Sequence, residues 1–320
     1  MKVYVTRRLP DAAMKIAQAA ADVAVWEEDR PIPQDALMAN VGDADGLLCM
    51  LTDKIDAALL ACGPKLKVVS QMAVGYDNID VAACAERGIA VGNTPDVLTD
   101  STADIAFALM LATARRMMEA ERFLRDGQWQ TWAPSLLVGA DVHHATLGIV
   151  GMGRIGYEVA RRARGFAMNI LYTSRRRNEA AERDFGARFV DFEALLAESD
   201  FVSLHVPLTP GTRHLIGAAQ LEKMKPSAIL INTARGAIVD QAALCDALRA
   251  HRIGGAGLDV FEVEPLPLND PLLQCDNVTL APHIGSASVA TRLQMALLAV
   301  ENLVAGIQSR PLPHECRQNR

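Results

Sequence analysis

The sequence lacks the features that mark membrane-spanning and secreted proteins. It has no uninterrupted run of about 18 apolar residues, the length that a spanning helix requires. Met1 is followed almost at once by Val3-Tyr4-Val5, a strand-like stretch, and not by the basic and then apolar segments of a signal peptide. The six cysteines form no C-x-x-C pair, so neither a zinc site nor a disulfide framework is expected. We therefore expect a cytoplasmic protein that holds no metal.

Excess positive charge is also missing. The chain has 32 Lys and Arg against 38 Asp and Glu, a formal net charge of −6. Because nucleic acids and anionic membranes attract proteins through bulk positive charge, neither is expected as a partner. Half of the residues are apolar, 22% are charged and no low-complexity tract occurs, which excludes a disordered or fibrous chain. At 320 residues the chain exceeds what one hydrophobic core usually supports, so about two domains are expected.

Short apolar runs alternate with helical patterns in two separate series along the chain. Runs of this kind, with helices between them, are typical of parallel strands that are buried on both faces. Each series therefore predicts a doubly wound α/β domain built on a parallel sheet. The predicted strands are residues 3–5, 23–25, 46–50, 67–69 and 89–91 in the first series, and residues 147–150, 169–172, 201–204, 228–231, 257–260 and 278–280 in the second.

Two long helical patterns, residues 100–123 and 287–308, bracket the second series. This arrangement suggests that the chain crosses twice between the domains and that the second domain is inserted into the first. The predicted boundaries are residues 1–99 and 286–320 for a discontinuous first domain, and residues 100–285 for the inserted domain.

A glycine-rich turn follows the first strand of the second series. Its sequence, Gly151-Met152-Gly153-Arg154-Ile155-Gly156, has the G-x-G-x-x-G pattern and joins a buried strand to a helix. The first glycine allows the tight turn, the second lets the backbone approach a pyrophosphate, and the third lets helix and strand pack closely. The amino end of the helix then offers N–H groups to the anion. This context predicts dinucleotide binding, and the alternative is an ordinary strand-to-helix turn.

The end of the next strand indicates which dinucleotide is bound. An NAD site places an Asp or Glu about 20 residues after the glycine turn, where it accepts hydrogen bonds from the ribose. This sequence has instead Ser174, Arg175 and Arg176. Arginine donates parallel, charge-assisted hydrogen bonds to phosphate and therefore suits the 2′-phosphate of NADP(H). We predict NADP(H) rather than NAD(H), and the alternative is a solvated basic start to the next helix.

Three polar side chains, Arg235, Glu264 and His283, follow later strands of the same series. Ligands of open α/β sheets bind at the carboxyl ends of the strands, so these side chains are candidates for one cleft. Each also has a purely structural interpretation. Arg235 would then be a surface cation, Glu264 a solvated loop acid and His283 a hydrogen-bonded turn residue.

Ordered motifs around these residues resemble those of the D-isomer-specific 2-hydroxyacid dehydrogenases. The resemblance extends from near the N-terminus to about residue 312, and within the family it is strongest to the glyoxylate/hydroxypyruvate reductases. It is carried by Asn-Thr-Ala-Arg-Gly at 232–236, Asp-Val-Phe-Glu-Val-Glu-Pro at 259–265 and Pro-His-Ile-Gly-Ser at 282–286. Further similar segments are residues 48–53, 73–80, 95–103, 129–134, 205–209 and 264–267.

The resemblance implies a fold and an activity. The fold is a Rossmann-type cofactor domain inserted into a flavodoxin-like substrate domain. The activity is NADPH-dependent reduction of glyoxylate or hydroxypyruvate to glycolate or D-glycerate. In such an enzyme Arg235 would hold the oxoacid, His283 would protonate its carbonyl oxygen as general acid, and Glu264 would favour the charged imidazole.

The same resemblance implies further site residues. Pro207, Thr233 and Asp259 are implied on the cofactor side, where Asp259 contacts the nicotinamide ring or, alternatively, caps a turn. Trp132 is implied to reach the substrate pocket of a neighbouring subunit in a homodimer, and the alternative is that it only covers a loop. The implied substrate contacts are Leu51, Val74, Gly75, Ser286 and Trp132, besides Arg235 and His283.

Two alternatives to this activity stay open at the level of sequence. One is a different 2-oxoacid such as 2-ketogluconate, because the size of the pocket cannot be read from the sequence. The other is a non-catalytic dinucleotide sensor, similar to the transcriptional corepressors that share this fold. Only a reductase oxidises NADPH when a 2-oxoacid is added, so a spectrophotometric assay separates the enzyme from the sensor.

Overall fold

Residues 1–316, which the computed structural model describes, form two α/β units. The first unit contains Met1–Leu98 and the segment that begins at Ser286, and the second unit is Thr99–Gly285. The chain therefore leaves the first unit once and returns to it. Each unit has its own parallel sheet and its own hydrophobic core.

The first unit is built on a five-stranded parallel sheet. Its elements in chain order are β1 (Lys2–Val5), α1 (Asp11–Ala20), β2 (Asp22–Val25), α2 (Gln34–Asn40), β3 (Gly46–Cys49), α3 (Ala57–Cys62), β4 (Val68–Gln71), α4 (Val81–Glu86) and β5 (Ala90–Gly92). The strand order is β2-β1-β3-β4-β5, which is the flavodoxin-like order. Every residue of β3 and β4 is buried, as expected for strands that are covered on both faces.

The second unit is built on a seven-stranded parallel sheet. Its elements are α5 (Thr99–Ala114), α6 (Met117–Arg125), β6 (Thr146–Val150), α7 (Arg154–Gly165), β7 (Asn169–Thr173), α8 (Glu179–Phe185), β8 (Arg188–Phe189), α9 (Phe192–Glu198), β9 (Phe201–Leu204), α10 (Ala218–Leu221), β10 (Ile229–Asn232), α11 (Gln241–Arg249), β11 (Gly255–Leu258) and β12 (Val278–Leu280), with short 3₁₀ helices at Gly236–Ile238 and Pro271–Gln274. In the order β12-β11-β10-β9-β6-β7-β8 the first strand, β6, lies inside the sheet, with β7 and β8 on one side and the later strands on the other, which is the Rossmann arrangement. The predicted fold class, two doubly wound parallel α/β sheets, is confirmed.

The last long helix, α12 (Val289–Ile307), returns to the first unit and packs on its sheet. Close packing is possible because Gly306 carries no side chain: a Cβ there would lie 2.4 Å from the Cβ of Val68. Asn302 is also fully buried in this helix, and its side chain binds backbone groups of the first unit. The helix thus completes the first unit through small and polar residues as well as apolar ones.

The structure corrects the predicted helix over residues 100–123, which is two helices. Between α5 and α6 the backbone of Arg116 adopts a left-handed conformation with φ 52°. The carbonyl of Ala114 accepts a hydrogen bond from the N–H of Ala140 at 2.8 Å, so a distant segment occupies the end of α5. The break therefore arises from a long-range contact. It could not be predicted from the local sequence, because no Pro or Gly occurs there.

The predicted strand over residues 257–260 is also displaced. The observed strand β11 pairs with β10 in the register Ile229↔Gly255, so Asp259 and Val260 follow the strand. This shift matters for function because it places the Asp259 carboxylate in the loop region at the carboxyl end of the sheet. The two-residue strand β8 was not predicted, because both of its residues are exposed and no apolar run marks it.

Within residues 1–316, no helix has the length and apolar character needed to cross a bilayer. The described part of the chain also contains no group of three or more His, Cys, Asp or Glu side chains arranged as a metal site. Its six cysteines are all free.

Candidate active site

The glycine turn after β6 has the geometry of a phosphate cradle. Gly151 has φ 99°, and a Cβ there would lie 2.7 Å from the carbonyl oxygen of His205. A Cβ on Gly156 would lie 2.2 Å from the carbonyl oxygen of Gly151, so this helix residue must also be glycine. A Cβ on Gly153 would meet nothing within 4 Å. Two glycines therefore permit close packing inside the protein, whereas the middle one leaves open space above the turn.

The amino end of α7 faces that open space. Gly153 occupies the N-cap position, and it supplies no side-chain hydrogen bond to the first turn. Arg154 and Ile155 begin the helix, and Ile155 packs partly against the core. A helix start of this kind offers backbone N–H groups and the positive end of the helix dipole to an anion.

The three arginines that follow β7 differ in their contacts. Arg177 forms an ion pair with Glu182 at 2.8 Å, and its guanidinium lies over the ring of Phe189. Arg175 and Arg176 are exposed, and no ion pair to either of them occurs in the described part of the chain. The Ser174 hydroxyl donates to the Arg176 carbonyl, which shapes the turn that carries them. Two guanidinium groups are therefore presented to solvent at this strand end.

Arg235 is held by a tight turn after β10. The buried side chain of Asn232 donates to the carbonyl of Arg235 at 2.9 Å and accepts from the N–H of Ala234 at 3.0 Å. The next residue is Gly236, where a Cβ would lie 1.8 Å from the carbonyl carbon of Phe261. The turn that carries Arg235 thus touches the backbone of the loop that carries Glu264, and only glycine permits this approach.

Glu264 and His283 form a hydrogen-bonded pair. The Oε2 atom of Glu264 lies 2.7 Å from Nδ1 of His283, and Oε1 accepts from the N–H of Phe261 at 2.9 Å. Burial acts to raise the pKa of Glu264, but the hydrogen bond and charge of His283, the Phe261 N–H and the charge of Arg235 outweigh it and lower the pKa below its ordinary value. The structure therefore brings Arg235, Glu264 and His283 into one electrostatic cluster.

Asp259 fixes the loop on which His283 stands. Its carboxylate, which is buried, accepts hydrogen bonds from the N–H groups of Ile284 and Gly285, each at 2.7 Å. Its carbonyl accepts from the N–H of His283, whose backbone is left-handed with φ 54°. Burial raises the pKa of Asp259, although these hydrogen bonds oppose the increase. Of the two roles considered for Asp259, the structure shows the turn cap, and contact with a nicotinamide ring stays a prediction.

The remaining predicted cofactor residues lie in the same unit. The Thr233 hydroxyl is buried, and it has no hydrogen-bond partner within residues 1–316. Pro207 is exposed, and its carbonyl accepts from Thr212 Oγ1 at 2.7 Å. Nearby, His205 Nε2 lies 2.8 Å from Ser203 Oγ, and burial lowers the pKa of His205 to about 4, so that this imidazole is neutral at pH 7. His205 therefore acts here as a structural residue, whose carbonyl limits the Gly151 turn.

The predicted substrate residues fall into two groups. Trp132, in the second unit, is 78% exposed. Leu51, Val74, Gly75 and Ser286 belong to the first unit, where each is half-buried. Sequence reasoning missed Asn232 as a functional residue, although an Asn at the end of an apolar strand, four residues before Gly236, is a recognisable turn signal. It gave no reason to single out Gln71 and Asn93, whose importance rests on contacts between distant segments.

Comparison with known proteins identifies the family of the chain. Residues 107–285 match the sequence model of the NAD-binding domain of D-isomer-specific 2-hydroxyacid dehydrogenases. A glyoxylate reductase of Korarchaeum cryptofilum is 52% identical over 305 residues, which cover 95% of this chain and 92% of that protein. The chain belongs to the D-isomer-specific 2-hydroxyacid dehydrogenase family.

Solved structures show that this dehydrogenase shares its fold with relatives over nearly the whole chain. A protein of Thermus thermophilus superposes with a TM-score of 0.93 at 45% identity, covering 99% of this chain and 100% of that one. The NADPH-dependent glyoxylate/hydroxypyruvate reductase of Sinorhizobium meliloti, solved with NADP and malonate, has a TM-score of 0.86 at 34% identity and covers 98% of this chain and 96% of that one. The family predicted from the motifs is thus confirmed.

The residues of this dehydrogenase fit a nicotinamide dinucleotide, the cofactor of the family's NAD-binding domain. Gly153 leaves room for a pyrophosphate where any side chain would project, and the first turn of α7 lacks a side-chain cap. The buried Thr233 hydroxyl offers one further polar atom that a bound group can satisfy. These features lie at the carboxyl edge of the sheet, where such cofactors bind.

Replacing Glu264 with Gln should remove a stabilising contribution that depends on pH. A carboxyl group whose pKa is lowered by folding stabilises the folded protein in its ionised form. This contribution is complete above the ordinary pKa of 4.5 and is lost as the pH falls through the lowered value. We therefore expect Glu264→Gln to be less stable than the parent protein at pH 7, with a difference that shrinks below pH 4.5.

Urea unfolding at a series of pH values measures this difference. Glu179→Gln, which changes an exposed carboxylate on α8 of the same unit, serves as the control and should run parallel to the parent protein over the same range. A deficit of Glu264→Gln that grows in acid would contradict the assigned direction of the pKa.

Proposed function

We propose that this protein reduces a small 2-oxoacid, glyoxylate or hydroxypyruvate, to the D-2-hydroxyacid with NADPH. The observation that carries the proposal is the pair formed by His283 Nδ1 and Glu264 Oε2 at 2.7 Å, together with the influence of the Arg235 charge on Glu264. An arginine beside a carboxylate-held imidazole supplies both an anchor for an oxoacid and a proton donor for its carbonyl. Relatives that are named glyoxylate reductases support this choice of substrate.

Arg235 binds the substrate in this proposal. Its guanidinium donates parallel hydrogen bonds, which suit the carboxylate and the adjacent carbonyl oxygen of a 2-oxoacid. When bound, NADPH would supply the hydride for the carbonyl carbon, and negative charge would then develop on the carbonyl oxygen. The fixed positive charge of Arg235 stabilises that developing charge as well as the bound oxoacid.

His283 protonates the substrate oxygen. Because Nδ1 is engaged by Glu264, the opposite ring nitrogen, Nε2, is the atom that donates the proton. The ionised Glu264 carboxylate stabilises the imidazolium and holds the ring in one orientation. Asp259 contributes indirectly, since it holds the backbone of the loop on both sides of His283.

We expect His283→Asn to lower kcat by about 10²- to 10⁴-fold, the usual contribution of a positioned general acid. NADPH binding, measured by fluorescence titration, should be retained because the glycine turn is untouched. Near-normal turnover by a folded His283→Asn protein would contradict the proposed role.

The matched control for His283→Asn is His214→Asn. His214 also pairs with a glutamate, with Nε2 lying 2.5 Å from Oε1 of Glu262 in the same unit. The proposal gives this second pair no part in the reaction, so His214→Asn should keep kcat within about twofold of the parent protein. A large loss in both variants would show that breaking any such pair disturbs the fold.

We propose NADPH rather than NADH as the reductant. Arg175 and Arg176 are exposed after β7, whereas Arg177 is already paired with Glu182. No carboxylate stands at this strand end to accept from the ribose hydroxyls of NAD(H). Pro207, Thr233 and Asp259 are proposed to complete the cofactor site. The predicted domain over residues 100–285 is proposed to bind the cofactor, and the predicted domain over residues 1–99 and 286–320 is proposed to bind the substrate.

Exchange of both Arg175 and Arg176 for Gln should lower kcat/KM for NADPH by about 10- to 100-fold, because hydrogen bonds to charged groups are lost. The value for NADH should change little. Arg177→Gln is the control, since its guanidinium serves Glu182 and its loss should leave the NADPH/NADH ratio unchanged. A parent enzyme that clearly prefers NADH would overturn the assignment.

We further propose that the enzyme is a homodimer in which Trp132 acts on the neighbouring subunit's pocket. Large apolar side chains are exposed along one stretch of the second unit, which is unusual for a surface that stays in water. They are Met117, Met118, Leu124, Trp129, Trp132 and Val138. The proposed substrate contacts from the first unit are Leu51, Val74, Gly75 and Ser286.

Mixed dimers test the role of Trp132. Co-expressed Trp132→Ala and His283→Asn chains form a hybrid dimer in which one chain carries the intact His283 and the other carries the intact Trp132. If Trp132 serves the neighbouring pocket, the hybrid has about half the parent kcat with the parent KM for hydroxypyruvate, because one complete site remains. If Trp132 serves its own chain, the hybrid shows the KM of the Trp132→Ala homodimer. A monomeric mass in light scattering would refute the dimer.

A further inference from the structure

Two successive peptide groups in the first unit are held by side-chain amides. Asn93 Nδ2 donates to the carbonyl of Val74 at 2.8 Å, and Gln71 Nε2 donates to the carbonyl of Gly75 at 3.2 Å. In a trans peptide the N–H points opposite to the C=O. The two amides therefore also determine where the N–H groups of Gly75 and Tyr76 point.

These two N–H groups are available to a ligand. Neither Gly75 nor Tyr76 donates its N–H to a protein acceptor among residues 1–316. Both residues are half-buried, so the N–H groups are neither enclosed in the core nor fully solvated. Successive backbone N–H groups that have no acceptor in the protein can together bind an anion.

The orientation of the Gln71 side chain is fixed by its neighbours. Asn78 Nδ2 donates to the carbonyls of Asp53 and Met50, at 2.8 and 3.2 Å, so its oxygen must face Gln71. That oxygen accepts from Gln71 Nε2 at 2.8 Å, and the Cys49 thiol donates to the Gln71 oxygen at 3.0 Å. Gln71 is fully buried and therefore has no alternative partner in water. Its amide nitrogen is thereby directed toward the Gly75 carbonyl.

The backbone of Asn93 is also held by hydrogen bonds. Its N–H donates to the carbonyl of His314 at 3.1 Å, and its carbonyl accepts from Asn302 Nδ2 at 2.9 Å. Asn302 is fully buried in α12, and its Oδ1 accepts from the N–H of His314 at 3.0 Å. A further side-chain amide thus binds each of these two residues: Asn78 binds the Gln71 side chain, and the buried Asn302 binds the Asn93 backbone.

We propose that Gln71 and Asn93 are positioning residues that aim the N–H groups of Gly75 and Tyr76 at the carboxylate of the substrate. The inference rests on the proposed function, which requires a carboxylate-bearing substrate. Donors that are oriented before the substrate arrives need no reorganisation when it binds, and each is therefore worth more than a mobile one. The side chains of Gln71 and Asn93 contact neither substrate nor cofactor in this scheme.

Gln71→Met and Asn93→Asp each remove the donor with little change in side-chain volume. We expect KM for glyoxylate to rise about 10- to 100-fold in each variant, because a bond to a charged group is weakened. The carboxylate does not react, so its binding is equal in ground and transition states, and kcat should change little. KM for NADPH should stay at the parent value. The dissociation constant of oxamate from the NADPH complex, measured by calorimetry, should rise in parallel with KM.

Ser70→Ala is the matched control. Ser70 precedes Gln71 on β4, is equally buried, and donates to the carbonyl of Ala299 at 2.6 Å, away from residues 74–76. It should lower the thermal unfolding temperature about as much as Gln71→Met does, without changing KM or oxamate binding. A KM change of the same size in Ser70→Ala would show that the KM change in Gln71→Met comes only from lower stability, and it would overturn the proposal.

The outcomes separate this inference from the proposed function. Folded variants with parent values of KM and of the oxamate dissociation constant overturn the positioning role, even if the parent enzyme reduces glyoxylate well. A parent protein that reduces no 2-oxoacid refutes the proposed function, whereas oxamate binding that is weakened in Gln71→Met and Asn93→Asp still supports the positioning role. A parent protein that does not bind oxamate overturns it. If Gln71→Met does not fold, Asn93→Asp and Asn93→Ala decide the outcome alone.

Discussion

The hydrogen bond between Glu264 and His283 constrains the positions of two loops of the second unit. Its two partners lie on different loops, which follow β11 and β12, and a 2.7 Å contact tolerates little relative movement of those loops. One loop is fixed by close contact with the Arg235 turn, where Gly236 allows backbone to meet backbone. The other is fixed by the buried Asp259 carboxylate. The proposed general-acid role of His283 thus depends on groups that have no contact with the substrate in the proposed mechanism.

In the first unit, hydrogen bonds between neutral groups hold a loop in a similar way. There, side-chain amides of Gln71, Asn78 and Asn93 bind backbone carbonyls, and the Gln71 amide is oriented by Asn78 and Cys49. Buried polar groups of this kind are costly unless every partner is satisfied, so a complete network specifies one loop conformation. Both units therefore hold their functional loops by hydrogen bonds to backbone, which fix peptide orientation more closely than apolar packing does.

Much of this could be predicted from the sequence, because the governing signals are local. Apolar runs marked the strands of both sheets, and the spacing of Gly151, Gly153 and Gly156 marked the turn after β6. The break at Arg116 and the end of β11 before Asp259 could not be predicted. The first depends on the contact of Ala140 with Ala114, and the second on strand register, and both are set by residues far away in the chain.

Local patterns were enough to predict the doubly wound fold, the glycine turn and the residue types that follow each strand, since parallel sheets and tight turns impose patterns within short segments. Three-dimensional contacts were needed to show that Arg235 acts electrostatically on the Glu264–His283 pair, that Asp259 caps the histidine loop, and that Gln71 and Asn93 bind the same short segment. A hydrogen bond fixes distance and angle between groups that lie far apart along the chain, and no local pattern encodes such a distance.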